Sequence, residues 1–255
     1  IDLGTLGGNG SFGTAINDAG DVVGYADDFI DDFRAFVYRN GVMTDLGTLG
    51  GKISYAAGIN NAGQVVGTAA TESGYRHAFL HDPARGMIDL GTLGGRQSSA
   101  AAVNDAGVVV GSAQTADRQC HAFIHDGKQM IALGTLIGYG SSFATDINNA
   151  GHVVGTVLVR DERRSFVWRD GKMTVHRGGK GLHLTNTIND AEQVVGATYD
   201  RKLFAATMVS NAIPVTDHGG SKLVLIISMT LLAGAAMAIW RKSYRGISLG
   251  GATPA

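Results

Sequence analysis

Apolar residues in this chain come in short bursts, separated by glycine, asparagine, aspartate and other polar residues, as far as about residue 218. Before residue 220 no segment keeps the three-to-four-residue spacing of a helical face. The runs "SYAAGIN", "QVVGTAA", "HAFLHD" and "GMIDLGT", within residues 54–92, have the length and turn-bounded ends of strands instead. The punctuation between them is specific. "NAG" joins the first two, and Asn-x-x-Gly suits a type I turn closed by a left-handed glycine. Asn40-Gly41, Asp126-Gly127 and Asp170-Gly171 stand between the third and fourth strands of their segments, the dipeptides that tight hairpins favour.

The same order of elements recurs. "INDAGDVVG", "INNAGQVVG", "VNDAGVVVG", "INNAGHVVG" and "INDAEQVVG" begin at residues 16, 59, 103, 147 and 188, at intervals of 43, 44, 44 and 41. "DLGTLGG" occupies residues 2–8, 45–51 and 89–95, with a worn copy, "ALGTLIG", at 132–138. A third motif reads "RAFVY" at Arg34, "HAFLH" at His77, "HAFIH" at His121, "SFVW" at Ser165 and "LFAAT" at Leu203. Four antiparallel strands in about 43 residues match a β-propeller blade, which buries both faces only by stacking on its neighbours. The expected fold is therefore all-β, a β-propeller of about five four-stranded blades over residues 6–218. A larger ring with blades lost upstream is the rival reading, because residues 1–5 look like a fourth strand or closing strap and residues 212–217, "AIPVTD", already look like the last blade's own. "TLGG" is expected to carry the chain from the outer strand of one blade to the inner strand of the next. A phosphate-binding role for it would need a helix immediately after, and none is indicated.

The ordered triad "LGTLGG…INNAGQVVG…HAFL" resembles the HAF repeat of predicted bacterial extracellular proteins, named for the triplet that stands here as His77-Ala78-Phe79 and His121-Ala122-Phe123. Arg34 replaces the histidine in the first repeat, and the fourth and fifth repeats depart further. The resemblance spans nearly all of residues 1–218. It implies an exported repeat protein and carries no catalytic residues with it.

The composition changes abruptly after a linker at 219–222. Residues 223–240 hold no charge, and an 18-residue helix would reach about 27 Å, close to a bilayer core of about 30 Å. Arg241, Lys242 and Arg245 follow, and only Lys222 immediately precedes. The positive-inside rule then sets a cytoplasmic C-terminus, a tail at 241–255, and repeats outside, facing the bacterial cell surface or periplasm. No signal peptide opens the chain, and Ile1 falls inside a repeat, so the N-terminus reads as processed or truncated.

Charge and composition narrow the chemistry. A formal net charge of −1 argues against a nucleic-acid partner. Cys120 is the only cysteine, so there is no intrachain disulfide. His77 and His81, like His121 and His125, are four apart, about 13 Å on a strand, too far to share a metal. Asp18, Asn61, Asp105, Asn149 and Asp190 fit turn chemistry rather than a calcium loop. No cofactor, metal or catalytic constellation is expected. The variable loops between second and third strands are where a ligand site would be built. Their candidates are Tyr25, Asp27, Asp28, Phe29, Asp31 and Asp32 in the first repeat, Tyr75 in the second, Arg160, Arg163 and Arg164 in the fourth, and Tyr199 in the fifth. These would give an acidic side and a basic side. The expected function is non-enzymatic: a membrane-anchored surface recognition or structural module with a glycan or protein ligand. A carbohydrate-binding lectin is the alternative, and a hydrolase with a central-channel site is the third reading.

Overall fold

The computed structural model describes residues 2–29, 32–134, 140–159, 162–175, 182–198 and 203–207. Each repeat forms one antiparallel sheet with its strands hydrogen-bonded in chain order. The first sheet holds β1 (Gly7–Ile16), β2 (Val22–Asp28), β3 (Phe33–Arg39) and β4 (Val42–Asp45). The second holds β5 (Gly50–Ile59), β6 (Val65–Thr71), β7 (Arg76–Asp82) and β8 (Gly86–Asp89). The third holds β9 (Gly94–Val103), β10 (Val109–Thr115), β11 (Cys120–His125) and β12 (Met130–Ala132). The fourth holds β13 (Ser142–Ile147), β14 (Val153–Val159), β15 (Glu162–Arg169) and β16 (Lys172–Val175). The fifth shows β17 (Leu182–Ile188), β18 (Gln193–Thr198) and β19 (Leu203–Thr207). The described chain is all-β. The expected strand at 212–217, the linker and the apolar segment 223–240 lie outside the described residues. Among the described residues no helix is long and apolar enough to cross a membrane.

The paired valines explain how the sheets stack. Neighbours on a strand point to opposite faces. Val65 joins Val23, Ala35, Leu46 and Phe79 between the first and second sheets. Val66 joins Ala100, Val109 and Phe123 between the second and third. Val110 and Val153 share the next core with Phe166, and Val154 packs with Ile188 and Val194. The valine pairs of the second, third and fourth sheets thus bind their sheets to both neighbours.

The glycine that follows serves the phenylalanine of the third motif. Gly24, Gly67, Gly111 and Gly155 lie opposite Phe36, Phe79, Phe123 and Phe166, four rings with no exposed surface. A Cβ on Gly67 would collide with the carbonyl oxygen of Tyr55 and sit 2.9 Å from the Phe79 ring. Only glycine lets the bulged first strand and the ring close over the same point.

"DLGTLGG" is also accounted for residue by residue. Asp45 Oδ1 accepts the Gly47 N–H at 2.8 Å and ends β4. Leu46 is buried and donates its N–H to Ala35. Gly47 and Gly50 have φ of +86° and +96°, which side chains disfavour. Thr48 Oγ1 bonds to Gly51 O and accepts from Gly50 N. The copy at 89–95 repeats the pattern at Asp89 and Thr92. The amides are consumed inside the turn, so the loop is a crossing and offers no phosphate cradle. It differs from expectation in one way: the final glycine pair already belongs to the next first strand, which begins at Gly50 rather than Ser54. The copy at the N-terminus behaves likewise. Asp2 caps Gly4 N, and residues 2–5 form this turn rather than a strand.

Two hairpins match the dipeptides read from sequence, with positive φ at Asn40-Gly41 and Asp170-Gly171. The third does not. Asp126 keeps an ordinary φ, and its Oδ1 accepts from Lys128 N and Gln129 N, capping a longer loop between β11 and β12.

Candidate functional site

The sheets leave a cleft of about 420 Å³ between the second and third, lined by Tyr55, Thr68, Arg76, Gln97, Ser99 and Ser112, with Cys120 at its edge. Register explains why it is there. Phe12, Tyr55, Ser99 and Phe143 occupy equivalent places on the first strands, opposite Tyr25, Thr68, Ser112 and Thr156 on the second. Between the first and second sheets this layer is filled by aromatic rings. Tyr25 stacks on Phe12 at 5.1 Å and meets Phe33 and Tyr55 edge-on at 5.5 and 5.1 Å. One sheet further on, serines and a threonine replace the rings, and the space opens.

The cleft sets hydroxyl and amide groups in a largely apolar wall and is sparsely charged. Thr68 Oγ1 and Ser99 Oγ are bonded across it at 2.6 Å. Arg76 is exposed and is the only charged residue in the lining. Its guanidinium lies over the Tyr55 ring, 5.8 Å from the centroid, so an aromatic face rather than a carboxylate holds it. Burial pushes the Cys120 thiol up, which disfavours a thiolate nucleophile.

The residues singled out in sequence do not assemble into one site. Tyr25 is committed to the aromatic cluster. Asp28 and Asp32 close their hairpin, with Asp28 Oδ1 accepting the Asp32 N–H at 3.0 Å and Asp28 N donating to Asp32 O at 3.1 Å. Asp27 packs against Gly8, and Phe29 lies over Gly7 with 86% of its surface exposed. Tyr75 is covered by the Arg96 guanidinium at 5.3 Å. Arg163 pairs in register with Leu158 on β14, and Arg164 makes an ion pair with Glu162 at 2.9 Å. Asp31, Arg160 and Tyr199 lie outside the described residues. The signal that would have found Tyr55, Thr68, Arg76 and Ser99 is substitution at matched strand positions beside the invariant "VVG", a contrast that a search of loops overlooks.

His77 has a structural role. His77 Nδ1 lies 2.8 Å from Asp89, the aspartate of "DLGT", and Arg34 meets Asp45 in the same way at 3.2 Å. Among the described residues no group of three histidine, cysteine or acidic side chains is placed to hold a metal.

A second cavity, of about 250 Å³, is lined by the "IND/INN" turns of all five repeats. Turn chemistry alone does not account for these residues. The first asparagine closes its own turn, as Asn60 Oδ1 does for Gln64 N, and its amide then reaches the next repeat: Asn60 Nδ2 donates to Asn104 O at 2.9 Å. The second residue works entirely between repeats. Asn61 N donates to Asp105 Oδ1, and Asn61 Nδ2 bonds to both Asp18 and Asp105. Asn149 joins Asp105 to Asp190 in the same manner. The Asn61 N–H, followed by the Asn149 and Asn61 side chains, holds the Asp105 carboxyl below its usual range. It is a fixed anion, unsuited to donate a proton at neutral pH. No protein-family model matches this chain, and no curated protein matches it.

Proposed function

We propose that this protein is a non-enzymatic recognition module of the HAF-repeat kind. Its repeats act as blades of a β-propeller, and a polar ligand is bound in the cleft between the second and third. The cleft carries the proposal: a volume of about 420 Å³ falls in the ~300–1,000 Å³ range of small-ligand sites, and hydroxyls and an amide line it where the adjacent interface is packed with rings. The blade reading is supported by the stacking of successive sheets through shared cores and by the cavity that the turns of all five repeats line. An exported location, with the segment 223–240 as membrane anchor and residues 241–255 cytoplasmic, rests on the charge asymmetry of the tail and on the family resemblance. The hydrolase reading loses support at the cavity lined by the five turns, where Asp105 is locked as an acceptor.

A polyhydroxyl ligand, a saccharide, fits the lining best. The test is binding of the full chain to an array of bacterial surface polysaccharides, beside Ser99→Trp, which fills the cleft, and Phe29→Ser, which changes an exposed loop. Saturable binding abolished by the first variant and kept by the second is the expected result. Binding unaffected by Ser99→Trp, or none on the array from a folded protein, would sink the reading.

A further inference from the structure

We infer that the cleft selects a negatively charged saccharide, one bearing a carboxylate such as a uronic acid; this rests on the cleft being the ligand site. Three observations carry it. Arg76 is the only charged group in the lining, and no carboxylate accompanies it there. Elsewhere in these sheets four arginines are matched by acids, Arg34 by Asp45, Arg39 by Asp21, Arg164 by Glu162 and Arg169 by Glu192, while Arg96 shares with Arg76 a place over a tyrosine ring. Arg76 instead has the face of Tyr55 beneath it. Such a contact orients a guanidinium without neutralising it, leaving its N–H fork for an incoming anion. Tyr55 is itself braced by Tyr25 and Phe33, at 5.1 and 5.8 Å between ring centroids. The positive group therefore stands on a rigid aromatic wall.

The rest of the lining suits the remainder of such a ligand. Thr68, Ser99, Ser112 and Gln97 offer hydroxyl and amide groups that both donate and accept. They match ring hydroxyls, whereas a fully ionised phosphate group would ask for donors alone. The interface between the first and second sheets has an aromatic residue, Phe33, at the place equivalent to Arg76, so the charge distinguishes this cleft from that interface; the fourth sheet has Arg163 at the same place.

Two probes separate charge from shape: an oligogalacturonate and its fully methyl-esterified counterpart, which keeps the rings and removes the anion. Binding is measured by titration calorimetry on the full chain, wild type and Arg76→Gln. Protection of the single thiol, Cys120, from alkylation reports occupancy of the cleft directly. The acid is expected to bind about tenfold or more tighter than the ester, and Arg76→Gln to erase that preference, as loss of a charge-assisted fork would. Cys120 should be protected by the acid in the wild type. Equal binding of acid and ester, with Arg76→Gln unchanged and Cys120 protected, would overturn the charge inference and leave the cleft as a saccharide site. Binding that leaves Cys120 unprotected would overturn both. Arg76 is exposed, and an unchanged melting temperature in Arg76→Gln would confirm that the loss is not one of folding.

Discussion

Replacing Gly67 by alanine adds one methyl group to the protein and should damage it more than most core truncations of that size. The new Cβ collides with the carbonyl oxygen of Tyr55 and lies 2.9 Å from both the Ala56 Cα and the Phe79 Cε1. The ring alone could turn aside. The other two atoms are backbone, fixed by the β5–β6 pairing on either side of the bulge. Overpacking of a tight core costs ~1–3 kcal/mol, and a backbone clash belongs at the top of that range, about 3 kcal/mol. For a β-domain of this size that is a fall in melting temperature of about 6–12 °C. Thermal unfolding by circular dichroism, with urea titration beside it, reads the effect. The double variant Gly67→Ala/Phe79→Leu separates the two contacts. If backbone dominates, removing the ring restores little, and the two losses nearly add. Full rescue by Phe79→Leu, or a single-variant loss below about 0.5 kcal/mol, would refute the argument that backbone approach selects this glycine.

Ser54→Ala should cost about 2 kcal/mol, because it strands the buried Ala35 N–H and the Gly47 carbonyl that the Ser54 hydroxyl now joins; equilibrium denaturation against wild type checks it. Asn61→Asp should destabilise by about 1–2 kcal/mol at neutral pH by setting a third carboxylate between two others, and the loss should shrink on acidification into the carboxylate range; melting curves across pH would show the convergence. Asp146 stands where other repeats have Ala15, Gly58 or Ala102, and burial raises its carboxyl against hydrogen bonds from Thr187, the Ile188 N–H and the Ile147 N–H. Because the folded value lies above the unfolded one, its favourable contribution is complete below the ordinary aspartate range and is lost as pH rises through the raised folded value. Asp146→Asn should therefore match wild type in acid and exceed it in melting temperature near neutrality. A constant difference at all pH values would count against a titrating Asp146.

Much of the fold was legible because a repeat tests itself. Strand order, the Asn-x-x-Gly turn and the crossing at "TLGG" each appear several times, so local propensity and period agree. The Asp126 loop escaped because Asp-Gly predicts a tight turn only when the strands end beside it, and here Asp126 caps amides two and three residues on. The cleft escaped for a different reason. Variable loops draw attention, yet Tyr25 is used up in an aromatic cluster and Asp28 and Asp32 bond each other across their hairpin, while Thr68 and Ser99 sit on regular strands. What marks them is volume missing relative to Phe12 and Tyr25, and volume is visible only after register has placed those residues together.

The asparagine ladder has a sense of direction. Asn17, Asn60, Asn104 and Asn148 each donate forward to the following repeat, and so do the backbone amides of Asp18, Asn61, Asp105 and Asn149. A break between two repeats is therefore asymmetric. The downstream piece loses mainly partners for acceptors, the side-chain amides of Asn61 and Asn149 being donors that point back, whereas the upstream piece is left with both a side-chain and a backbone donor that point at nothing. Shortening such an array from its front should leave a sounder end than shortening it from its back, and any element that extends it at the rear must first present carbonyl and carboxamide or carboxylate oxygens.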